Sequence, residues 1–99
     1  MEAYHNDPSI KAKYLHRVAA HRAADQLVQG LGWHAGRGCA IGCTLDAYDP
    51  ERYPAELGIP AILAGLEDAI FEGLPLDGAQ PWPERFLSAI RPGADLSGI

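Results

Sequence analysis

Apart from Ile, β-branched residues are scarce in this sequence: two Val and one Thr stand against sixteen Ala in ninety-nine residues. Strands draw on Val, Thr and aromatic side chains, whereas Ala favours helix. No run alternates apolar and polar residues over a strand's length, so the composition predicts an all-α fold, a compact bundle of three to five helices forming one domain over residues 1–99. Long apolar runs are also missing. None approaches the ~20 residues of a membrane-spanning helix. The polar stretch from Met1 to Pro8 cannot serve as a signal-peptide core. With only two Cys, a disulfide staple is the less expected use, and the expected setting is cytoplasmic, with both thiols reduced.

A dense basic stripe is absent too. Residues 1–38 carry five Lys/Arg against three Asp/Glu, with all four His, while residues 39–99 carry three against ten. Five cations over 38 residues are too thin for a nucleic-acid footprint, and a net charge of −5 disfavours anionic membranes. The imbalance predicts that the first helix lies near the acidic second half, within one chain or across a dimer.

What is present is organised around Gly30 to Thr44, which places five glycines, both cysteines, Trp33 and His34 between helical segments. Glycine has the most backbone freedom to lose on folding, so packing or chemistry must hold this stretch. Before it, Asp7 as cap and Pro8 at the first helical position start a helix that Gly30 is expected to stop. On its wheel, Ile10, Tyr14 and Val18 continue into His21, Asp25 and Val28. After the turn, Cys39 to Ala47 reads as a short helix and Pro50 to Tyr53 as one helical turn. Ile59-Pro60 opens the best-patterned segment, running to about Gly73. Ile59, Ile62, Leu63, Leu66, Ile70 and Leu74 form its expected core stripe, with Glu67, Asp68 and Glu72 on the solvated side. Leu74 to Gln80 reads as loop, Pro83 to Ile90 as a last helix, and Ala94 to Ile99 as a tail that frays or docks. The first helix and the 59–74 helix are the expected packing pair.

Three uses of the reactive residues compete. Cys39 and Cys43, four apart on a helix, fall within zinc-ligand spacing, with His34 or His21 and Asp25 to complete the set, although a second Cys pair is missing. Cys39 at a helix start could act as nucleophile, with His21 as base and Asp25 orienting it. Against both, free Cys is among the most buried residue types, and a His21–Asp25 pair can serve to anchor the glycine-rich loop. A phosphate-loop reading fails, because no Lys-Ser or Lys-Thr follows the glycines and no strand precedes them.

The segment A-H-R-A-A-D-Q-L-V-Q-G from Ala20 to Gly30, followed by G-R-G-C-A-I-G-C-T-L from Gly36 to Leu45, resembles a family of uncharacterised bacterial proteins. Leu57 to Pro60, Leu66 to Asp68, Ile70 to Pro75 and Trp82-Pro83 look like it as well. The resemblance implies no activity, cofactor or partner. Some relatives continue beyond the position of Ile99, which implies a compact version of the kind mobile elements carry. The expected function is a small non-enzymatic binding or regulatory module. It is expected to be a homodimer paired through the first helix, with Trp33, Trp82, Tyr48 and Tyr53 as core or as a patch for a protein partner. The alternative is a Cys/His-dependent enzyme or a zinc protein on Cys39, Cys43, His21 and Asp25.

Overall fold

Asp7 and Pro8 start the first helix as their chemistry dictates. In the computed structural model, which describes residues 1–98, helix α1 spans Pro8–Ala23, and Asp7 Oδ1 accepts the Ser9 backbone N–H at 2.9 Å. The helix ends well short of Gly30. Asp25 turns into left-handed backbone at φ 57°, and Leu27 then makes a single parallel bridge to Gly38: Gly38 N–H donates to Gln26 O and Val28 N–H to Gly38 O, each at 2.9 Å. These bonds satisfy backbone groups that further helix would otherwise use.

The other side of Gly38 faces β1 (Trp33–His34). It pairs antiparallel with β2 (Arg37–Gly38), Trp33 opposite Gly38. Ala35 and Gly36, both at positive φ, make the two-residue turn whose twist suits a hairpin. The fold is therefore mostly helical, with a small two-stranded ribbon that the all-α expectation did not include. Two-residue strands are too short to show alternation in sequence.

Helix α2 (Ala40–Leu45) follows, and all six of its residues are buried. A segment without charge, built of Ala, Ile, Gly, Cys, Thr and Leu, has no solvent face to offer. Its approach to the ribbon depends on glycine. A Cβ at Gly38 or Gly42 would lie 2.3 or 2.0 Å from the Gly32 carbonyl oxygen. Thr44 Oγ1 donates to Ala40 O at 2.7 Å, Arg17 Nη1 to Thr44 O at 3.0 Å, and Asp46 ends the helix in left-handed backbone.

A 3₁₀ turn at Pro50–Arg52 leads into α3 (Tyr53–Leu57), then α4 (Ala61–Gly73), α5 (Leu76–Ala79) within the expected loop, and α6 (Trp82–Ala89). The expected packing pair is not the main one: α1 packs on α2 and α6, and α2 stands between α1 and α4. A buried central helix displaces direct contact between the two longer ones. α4 is also turned from its expected phase. Ala64, Glu67 and Phe71 are buried, while Ile62 and Leu66 are 69% and 54% exposed. The termini lock together: Ala3 exchanges backbone bonds with Ala94 and Gly93. Tyr4, His5 and Asn6 form a left-handed turn with φ of 53–56°, seated on Gly58, where a Cβ would meet the Glu2 carbonyl oxygen at 2.3 Å. Leu96 is buried, so the tail docks; Ile99 lies outside the described residues.

Candidate functional site

The structure separates the residues that spacing had suggested as a triad. His21, near the end of α1, holds Gln26 Oε1 through Nδ1 and Asp46 Oδ1 through Nε2, both at 2.7 Å, and its ring meets Trp33 edge-on at 5.4 Å. An imidazole held at both nitrogens is a structural anchor, tying the end of α1 to the cap of α2. Asp25 is exposed beyond the helix end and is not His21's partner, because the left-handed turn carries it out of the i, i+4 geometry. The Cys39–His21–Asp25 triad therefore does not form.

The four-ligand set Cys39, Cys43, His34 and His21 does not form either. His34 is exposed on the ribbon. Cys43 is buried with its thiol directed at Gly38 O at 3.3 Å and Gln26 O at 3.5 Å. Cys39 caps α2, and its thiol faces Gly32 O at 3.6 Å. Burial pushes both thiols up to about 12, helped at Cys39 by the Asp68 carboxylate beside it. A nucleophilic thiol requires the opposite shift.

What Cys39 does meet comes from α4. Its sulfur and one carboxylate oxygen each from Asp68 and Glu72 lie within 4.8 Å of one another. Asp68 and Glu72, four apart, share a helix face; sequence reasoning placed both on the solvated side, and the i, i+4 spacing was the available signal. Glu72 Oε1 accepts the Gly30 N–H at 2.7 Å, so the glycine-rich turn holds that carboxylate in place. Asp68 Oδ1 is shut off from water without a hydrogen-bond partner.

Next to this group, Glu67 is fully buried. Its Oε1 accepts the Tyr53 hydroxyl at 3.0 Å, while Oε2 has no partner. Burial pushes the carboxyl up to about 8. Tyr53 is buried, Trp82 is half-buried and donates its indole N–H to the Glu67 carbonyl at 3.0 Å, and Tyr48 is exposed. The aromatics thus divide between core and surface rather than forming one patch.

Two surface features remain. An open cleft of about 320 Å³ is lined by Asp25, Leu27, Val28, Leu76 and Gln80. The outer face of α4 presents Ile62 and Leu66, with Gly65 and Ala69 also exposed. The charge imbalance resolves within one chain, through Arg17 to Asp46 at 3.6 Å and Arg22 to Glu84 at 3.3 Å. Among the described residues, no helix is long and apolar enough to cross a membrane. No protein family, curated protein or solved structure matches the chain.

Proposed function

We propose that this protein is a small non-enzymatic binding module that works as a homodimer paired through the outer face of α4. The observation carrying this reading is the exposure of Ile62 and Leu66 at 69% and 54%, on a helix whose opposite side is already buried in the core. Adjoining large apolar side chains left in water mark an interaction surface, and an interface would cover them. Gly65 and Ala69 between the large side chains allow a facing backbone to come close. Two-fold pairing is the commonest assembly and needs only one self-complementary patch. The first helix, expected from sequence to be the pairing element, is shorter than expected and is packed against α2 and α6, so the unpartnered face lies on α4 instead.

Sedimentation over a wide concentration range tests the reading. The wild-type chain is expected to run as a dimer, and the double substitution Ile62→Glu with Leu66→Glu as a folded monomer. A wild-type chain that stays monomeric at all concentrations, or a double variant that still dimerises, would overturn it.

A further inference from the structure

We infer that Cys39, Asp68 and Glu72 form a site for one thiophilic divalent cation, zinc by its donor set, where the start of α2 meets the last turns of α4. The donors decide the class of ion. Magnesium and calcium take all-oxygen sites, whereas a sulfur with two carboxylate oxygens suits zinc and its thiophilic neighbours. The geometry brings one atom of each residue within 4.8 Å of the others, from two helices whose contact is set by the buried core. Three protein donors leave a fourth tetrahedral position for water or another ligand.

An independent observation points to a cation. Asp68 Oδ1 is buried with no hydrogen-bond partner. An acceptor left unsatisfied in the interior costs about 1–3 kcal/mol, and more when charged. Among the described residues, neither Asp68 nor Glu72 takes part in an ion pair with Lys, Arg or His. The deficit at this place is of positive charge. A bound cation would satisfy the orphaned Asp68 oxygen and draw together two carboxylates that otherwise repel. The Gly30 N–H on Glu72 at 2.7 Å and the Cys39 N–H on Gly32 O at 3.2 Å hold two of the three ligands from behind, as outer-shell bonds do in metal sites. On binding, the Cys39 S–H proton passes to solvent and the sulfur binds as thiolate. The site uses the flank of α4 that carries Asp68 and Glu72, and none of its donors is Ile62 or Leu66 of the proposed dimer face.

The test is a titration of metal-free protein with Co²⁺, followed by displacement with Zn²⁺. We expect a thiolate-to-cobalt charge-transfer absorption that saturates at one equivalent, disappears when Zn²⁺ is added, and accompanies release of one proton. Cys39→Ser should abolish the band and Cys43→Ser should keep it. Glu72→Gln, exposed and still able to accept the Gly30 N–H through its amide oxygen, should weaken Co²⁺ binding at least tenfold, and it carries the test if Cys39→Ser does not fold. Absence of the band, its survival in Cys39→Ser, or unchanged affinity in Glu72→Gln would each overturn the inference.

Discussion

Glu67 is the least expected residue of the core, and its environment makes a definite pH prediction. Burial raises its carboxyl from the ordinary 4.5 to about 8. Between these values the unfolded chain gives up a proton that the folded chain keeps, so stability falls as pH rises through this window and levels off above it. Each pKa unit corresponds to about 1.4 kcal/mol. In metal-free protein, the denaturation midpoint of the wild type should therefore decline from about pH 5 to pH 8, while that of Glu67→Gln should stay nearly level. Parallel profiles for the two proteins would show that Glu67 titrates normally. The cysteines make a second residue-scale prediction. With both thiols buried and pushed up to about 12, a chromogenic disulfide reagent should find neither in the native metal-free protein and two per chain after unfolding. Fast reaction of one native thiol would contradict the buried environment described above.

At the scale of elements, α2 is the part to which the others are fitted, and its glycines set the distance to the ribbon. Since a Cβ at Gly42 would lie 2.0 Å from the Gly32 carbonyl oxygen, backbone must move to admit one. Gly42→Ala should cost about 1–3 kcal/mol or more, read as a lower chemical-denaturation midpoint. Gly73 is the matched control: it closes α4 with nothing within 4 Å of an added Cβ. Gly73→Ala should leave stability unchanged or raise it by up to about 1 kcal/mol, as usual for Gly within a helix. Equal losses at both sites would mean that glycine as such, rather than the Gly32 contact, matters. The same scale explains the turned phase of α4. Periodicity put Ile62 and Leu66 on the expected core stripe and Glu67 on the solvated side, but Ala64 and Phe71 give the helix a second apolar face. Phe71 and the Tyr53–Glu67 bond select one, leaving Ile62 and Leu66 outward.

For the whole molecule, the joined termini are a long-range closure. Tyr4 is fully buried in left-handed backbone and donates its hydroxyl to Leu87 O at 2.6 Å, linking the chain's beginning to α6. Tyr4→Ala should destabilise the whole fold by about 3–5 kcal/mol, the range for emptying an aromatic site in a core. A two-state unfolding curve shifted as one unit would show that the terminal segments belong to the common core; local loss with an unchanged midpoint would show that they do not. The sequence by itself determined the predominance of helix, the Asp7-Pro8 start and the approximate places of α2, α4 and α6. These follow from local propensity, capping and composition, which act over a few residues. Only the tertiary structure decided that α1 stops early, that α2 is the centre, and that Glu67 is buried while Leu66 is exposed. It also decided that Cys39 meets Asp68 and Glu72 rather than His21. Each of those outcomes depends on which surfaces meet across distant stretches of chain. Backbone pairing of Gln26 and Val28 with Gly38, and the fit of Gly38 and Gly42 against Gly32, settle that meeting through contacts that no local pattern encodes.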